Sequence, residues 1–375
     1  MEQETKYSTP QWNRTRISSR LGIKYPIIQG PLGGLPTQQL AATVSNGGGL
    51  GSFGAHALPP SAIKDVIAEI RQLTSSPFAI NLWVSTEDDG ARASGSEGFA
   101  RSLAPLAAHI RSLGGALPEF KPYSPNEFED QMRVVLDAKV PVVSFIYGIP
   151  PEEIIEECHA QKIVMMGTAT TPEEAIVLEQ AGIDVIVASG FEAGGHKGSF
   201  LAAAEESLIG TFSLVPQVAD AVSIPVVAAG GIADARGVVS ALVLGAEGVQ
   251  IGTAFLACDE SGASVLHRNT ILAGKACRTG LTKAFTGRLA RGIKNKLFDE
   301  LNRTEVEILR YPLQRFLVKA LSSLAEKNSI PDLVPMWAGQ SANLARQTDA
   351  AIFLETLVAE ISLIADGRLT MGPST

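Results

Sequence analysis

Eight short apolar runs, each closing on glycine or a polar residue and each followed by a helix-like stretch, constrain this chain more than any other feature. The runs are Pro26–Gly30, Leu50–Phe53, Phe78–Val84, Val140–Tyr147, Lys162–Gly167, Asp184–Ser189, Pro225–Ala229 and Gly248–Gly252. Continuous Val- and Ile-rich runs are what parallel strands need when both of their faces are buried. The clearest helices between them are Thr37–Ser45, Pro60–Leu73, Pro151–Gln161, Pro172–Gln180, Thr211–Val222 and Ala235–Leu244. Thr171-Pro172-Glu173-Glu174 gives one of them an N-cap threonine, a first-turn proline and two acids beside the positive end of the helix dipole. Gly182 and Gly245 stand where helices close on a left-handed residue.

Eight strands over roughly 230 residues match a (β/α)₈ barrel, whose usual size is about 250 residues. An open doubly wound sheet would place a glycine fingerprint after its first strand. That position reads QGPLGGLP (Gln29–Pro36), which is not GxGxxG, and the glycine-rich turns come late in the chain. The expected fold is therefore an α/β TIM barrel over residues 26–262. An arm (1–25) precedes it, and a helical extension (263–375) that supplies the last barrel helix follows it. Residues 85–139 are too long for one strand-helix unit and hold helical patterns near Phe99–Leu113 and Pro125–Ala138. They form an excursion after the third strand, read either as a lid at the catalytic end or as a surface decoration. In the extension, Glu305–Lys327 and Thr348–Ile364 have amphipathic helical patterns.

The net charge of −8 argues against nucleic acid or an anionic membrane as partner, since both require a clustered basic surface. Three dispersed cysteines, Cys158, Cys258 and Cys277, have no metal-ligand spacing, so no metal and no disulfide framework is expected, and a reducing, cytoplasmic setting follows. The polar first sixteen residues lack the apolar core of a secretory leader, and no apolar run is long enough to span a bilayer.

The chemistry is concentrated in three segments. VIVASGFEAGGHKGSF (Val185–Phe200) ends a strand and delivers His196 behind the pair Gly194-Gly195. Those glycines allow backbone to approach a flat ligand, and a histidine there can serve as a general base. PVVAAGGI (Pro225–Ile232) places Gly230 and Gly231 between a strand and a helix. GVQIGTAF (Gly248–Phe255) ends its strand on Gln250, Ile251, Gly252 and Thr253. Backbone N–H groups at such turns hold a phosphate without side chains, and the loops after strands seven and eight are where barrels do so. Asn81 interrupts the apolar third strand and needs hydrogen-bond partners, which either a ring with carbonyl and imide groups or a polar bridge inside the barrel supplies. Ser189 is a further polar strand end. His56, His109, His159 and His267 lack comparable neighbours and read as structural. GGGLGSFG (Gly47–Gly54) reads as a helix end running into the second strand. Lys283–Lys296 is a brief basic stretch, open to two readings: orientation of an anionic substrate, or a solvated loop.

Taken together these strings resemble the first class of the nitronate monooxygenases, formerly called 2-nitropropane dioxygenases. The matching pieces are QGPLGG (Gln29–Gly34), VPVVSFIYG (Val140–Gly148), ASGFEAGGHKG (Ala188–Gly198), the run Pro225–Phe255, TGRLARGIKN (Thr286–Asn295) and MWAGQS (Met336–Ser341). The resemblance implies FMN held non-covalently, with contacts from Asn81, Ser189, Gly194, Gly231 and Gln250–Thr253, and a catalytic His196. It implies oxidation of an alkyl nitronate, or a nitroalkane, by O₂ to a carbonyl compound and nitrite, in a monomer or homodimer. Two departures stand out: many members carry glutamine where this chain has Ser189, and PLGG replaces the more usual PMAGG. The rivals are an NAD(P)H-dependent flavin enoyl-thioester reductase on the same barrel, a barrel that binds a phosphorylated metabolite without redox chemistry, and an idle scaffold.

Overall fold

The computed structural model describes residues 11–85, 88, 95–121, 127–303, 307–346 and 348–367. The barrel strands are β1 (Ile27–Gln29), β2 (Gly51–Gly54), β3 (Phe78–Trp83), β4 (Val142–Ile146), β5 (Val164–Ala169), β6 (Val185–Ser189), β7 (Val226–Ala229) and β8 (Gly248–Ile251). Every neighbouring pair is parallel, and β1 also pairs with β8. The ring closes between β1 and β2, where Gln29 N donates to Leu50 O at 2.9 Å and Leu50 N donates to Ile27 O at 2.9 Å. The expected eight-stranded barrel is thus the observed one.

Strand alternation sorts the side chains into two clusters. Ile28, Leu50, Ala79, Val142, Met166, Val185, Val187, Val227 and Ala229 pack together with Ile17, Leu21 and Ile23 of the N-terminal segment, whose helix Arg16–Leu21 plugs one end of the barrel. The opposite strand faces join the helices in a much larger apolar cluster. Close packing of the two layers shows at Gly51, where any side-chain carbon would overlap the Ala41 carbonyl of helix Gln38–Asn46.

Capping follows the sequence. Thr37, Thr171 and Asp234 cap their helices through side-chain oxygens, and Gly182 (φ +94°) and Gly245 (φ +101°) take the left-handed closing position. Strand β5 begins two residues later than its apolar run suggests. Lys162 adopts φ +60° to close helix Glu152–Gln161, its N–H bonding back to His159 O, and so cannot enter the strand. GGGLGSFG is the expected helix end and strand, with Gly47 at the cap.

The excursion after β3 divides. Helix Phe128–Asp137 packs on β3 and on helices Pro60–Leu73 and Glu152–Gln161, so it is an ordinary barrel helix. Helix Ser96–Ser112 packs instead on Leu313–Lys327 of the C-terminal region. Pro125 and Glu305, with which two predicted helices began, lie outside the described residues. Helix Ala350–Ala365 packs against Ala235–Val243 and Gln38–Asn46, the position of an eighth barrel helix. The C-terminal region also forms a hairpin, Thr279–Thr282 with Ala290–Ile293, whose second strand pairs antiparallel with Gly195–His196. The basic stretch is therefore no solvated loop, since both Arg288 and Arg291 are buried.

Gly51→Ala forces helix and strand apart. It is expected to lower stability by about 2–3 kcal/mol, as overpacked cores do, read as a drop in the urea midpoint. An unchanged midpoint would show that the two layers are not in fixed contact.

Candidate active site

The polypeptide turns that follow β6, β7 and β8 meet at the C-terminal rim of the barrel, around an open cavity. Asn81, Ser189, Gly194, Gly195, His196, Gly230, Gly231, Gln250, Gly252 and Thr253 all line it. Ile251 does not. Its neighbours Gln250 and Gly252 face the cavity, so alternation turns its side chain into the apolar layer, and only its carbonyl serves the rim by accepting from Gly30 N at 2.8 Å.

Backbone conformation makes the turns receptive. Gly195 (φ +75°), Gly230 (φ +105°) and Gly231 (φ +73°) occupy the left-handed region, and nothing lies within 4 Å of where a Gly195 side chain would start. The N–H groups of Gly231, Ile232 and Gly252 form no hydrogen bond with any described residue. Thr253 Oγ1 accepts from Gly339 N at 2.9 Å, which leaves its O–H free to donate. Free donors without a side chain in the way are what a phosphate requires. On the opposite wall, Asn81 Nδ2 donates to Ser144 Oγ at 3.0 Å, so the amide is held by β4 as well as facing the cavity.

His196 sits on the short strand that pairs with the C-terminal hairpin. Its Nε2 lies 2.9 Å from Thr286 Oγ1, which is itself 3.2 Å from the Arg288 carbonyl. Giving the threonine proton to that carbonyl assigns the imidazole proton to Nε2 and makes Nδ1 the basic atom. Burial pushes the imidazole down to about 3, helped by the charges of Arg288, Arg315 and Lys197, so it is neutral at physiological pH. Its ring is wedged among Trp83, Trp337 and Tyr311, at centroid distances of 5.1, 5.4 and 6.0 Å.

Several neighbours were not anticipated. Trp83 shares a strand face with Asn81, and a period-two reading of FAINLWV would have found it. Arg288 lies in the basic stretch open to a substrate-orienting reading and Trp337 in the matching string MWAGQS, but only tertiary pairing brings them, with Tyr311, to the rim. The Arg288 guanidinium covers the rings of Tyr147 (4.2 Å), Tyr311 (4.8 Å) and Trp83 (5.6 Å) and pairs with Asp88 at 2.7 Å. His56, read as structural, lies flat against Trp83 at 3.8 Å, and its buried Nδ1 has no hydrogen-bond partner among the described residues. Lys197 is buried behind the β6 turn, donating to Ala193 O at 2.6 Å, and burial beside Arg291 lowers it to about 7. Among the described residues no group of side chains could hold a metal ion, and no helix is long and apolar enough to cross a membrane.

A closed parallel barrel carrying a histidine beside three glycine turns on its strand-end rim defines the class, a (β/α)₈-barrel enzyme. The chain belongs to the nitronate monooxygenase family, a flavin-dependent group of oxidoreductases, which it matches over residues 14–360. A Staphylococcus aureus (strain Newman) protein described as a probable nitronate monooxygenase is 42% identical over 354 residues, covering 94% of this chain and 99% of the relative. The solved structure of nitroalkane oxidase from Streptomyces ansochromogenes superposes with a TM-score of 0.84 at 35% identity, covering 94% of this chain and 99% of the other. FabK from Thermotoga maritima superposes with a TM-score of 0.73 at 29% identity, covering 94% and 98%.

Burial keeps His56, His196 and His267 neutral, the last at about 4. Below about pH 6.5 the unfolded chain protonates all three while the folded chain does not, so stability falls as pH drops from 6.5 towards 4. Each histidine contributes about 1.4 kcal/mol per pH unit across that window. Urea midpoints measured between pH 7 and 4.5 should show this slope, and His267→Gln should flatten it by about one third. A slope unaffected by that substitution would mean His267 is not a neutral buried group.

Proposed function

We propose that this protein binds FMN at the barrel rim and oxidises alkyl nitronates with O₂, giving a carbonyl compound and nitrite. The observation that carries the reading is the shared cavity: His196 and the donor-lined glycine turns open onto the same space. Gly194, Gly195, Gly230, Gly231, Gly252 and Thr253 would hold the phosphate end, and Asn81, Ser189 and Gln250 the polar edges of the ring. The residues fit the group, because the free N–H donors suit a phosphate dianion and the uncovered glycine backbone leaves room for a flat ring system. Ser189 is shorter than the glutamine common in relatives, so its hydroxyl covers less of that edge. Bound FMN supplies the redox chemistry, and the protein supplies position, proton transfer and field.

Burial keeps His196 neutral, and the charges that add to that effect also select the substrate. Arg288 and Arg315 lower the imidazole and by the same sign favour an anion beside it. A nitronate arrives already deprotonated and benefits from that field. A neutral nitroalkane must first lose its α-proton, for which Nδ1 of His196 is the base. The aromatic walls around the imidazole exclude water from this step.

His196→Ala is expected to retain FMN and lose about 10²–10⁴-fold turnover on neutral nitroalkanes, with a smaller loss on nitronates, measured as nitrite released in air. Undiminished turnover on both would remove the base role. The likeness to FabK favours a second reading, an NAD(P)H-dependent enoyl-thioester reductase, which ranks lower because that likeness is at 29% identity. Anaerobic mixing with NADPH separates the two: negligible flavin bleaching supports the monooxygenase, rapid bleaching the reductase.

A further inference from the structure

Beyond the three barrel turns, a piece of the C-terminal region reaches the same cavity. Trp337, Gly339 and Ser341 line it. The segment is tied to the hairpin and its surroundings, with Ile293 N donating to Met336 O at 2.8 Å and His267 Nε2 lying 2.8 Å from Trp337 O. From there its donors fan out, one to each turn. Gln340 N donates to Glu192 O of the β6 turn at 2.9 Å. The Ser341 hydroxyl donates to Gly231 O of the β7 turn at 2.6 Å. Gly339 N donates to Thr253 Oγ1 of the β8 turn at 2.9 Å. The approach is close: a Cβ on Gly194 would meet the Ala338 carbonyl carbon at 2.7 Å, and one on Gly339 would meet Glu192 O at 3.0 Å.

Each of these bonds takes up an acceptor. A carbonyl or hydroxyl lone pair turned towards a phosphate repels it, whereas an engaged one leaves the neighbouring N–H and O–H donors to face the ligand. Together the three bonds engage one acceptor in each of the three turns.

Resting on the FMN reading above, we propose that Gly339–Ser341 forms a fourth side of a phosphomonoester site. It holds the three turns in the shape that accepts the cofactor's phosphate, with Ser341 as a positioning residue. Its contribution is specific to the phosphate and does not extend to the ring.

The test compares FMN with riboflavin, which lacks the phosphate, by quenching of flavin fluorescence on protein freed of bound flavin. Ser341→Ala should weaken FMN about tenfold, the loss expected for one hydrogen bond, with riboflavin affinity unchanged within about twofold. Ser341→Thr, which keeps the hydroxyl, should restore FMN affinity. Gly339→Val, whose side chain presses on Glu192 O, should act in the same direction as Ser341→Ala. Should Gly339→Val not fold, Ser341→Ala and its threonine rescue decide the question. Equal weakening of both flavins, or FMN affinity unchanged in Ser341→Ala, overturns the proposal while leaving the FMN reading intact. Wild-type protein that binds neither flavin overturns both.

Discussion

The antiparallel pairing of Gly195–His196 with Ala290–Arg291 is the contact on which the rim depends. The barrel alone brings a glycine turn past β6 but does not fix an imidazole there. The hairpin does so twice over. It adds a strand edge, with Lys197 N donating to Leu289 O at 2.9 Å, and it presents Thr286 to Nε2. The catalytic histidine of the proposed reaction is therefore a joint product of barrel and C-terminal region, and so are the engaged acceptors of the glycine turns.

The same joint carries unusual charge. Lys197 and Arg291 are both buried and both address carbonyls of the β6 turn, Ala193 O and Phe191 O. Burial lowers each of them, and Glu192 pulls the other way. That carboxylate is already occupied by Thr211, accepting from its N and its hydroxyl at 2.9 Å each. Arg288 is differently placed, paired with Asp88 yet spread over three aromatic rings. The buried guanidiniums of Arg288 and Arg291 place positive charge near a neutral imidazole, although the chain as a whole is acidic. Overall charge thus describes the outer surface and says little about the site.

Legibility in the sequence divides along the same line. The eight strands could be read because each is a local apolar run; β4 and β5 each start two residues inside their runs, and at β5 the shift arose from a lysine closing a helix in a left-handed turn that nothing in its side chain announces. The glycine turns and His196 could be read because their chemistry lies within a few residues. Helix Phe128–Asp137 was merged with the excursion because periodicity does not reveal what a helix packs against. Arg288, Trp337 and Ser341 lie in strings the sequence singles out, but their positions at the rim, like that of Tyr311, do not follow from those strings. They arrive from beyond the barrel through pairings such as Ser341 with Gly231, which no local pattern encodes. Ile251 shows the converse: the run was located correctly, but strand alternation hides that side chain from the cavity.

The central claim is that the rim grips a flavin phosphomonoester. Its most direct measurement is the visible absorption spectrum of the protein purified and then gel-filtered after incubation with excess FMN. The account predicts a yellow protein with one flavin per chain and absorption bands shifted from those of the free cofactor. A colourless protein that elutes free of flavin would contradict it.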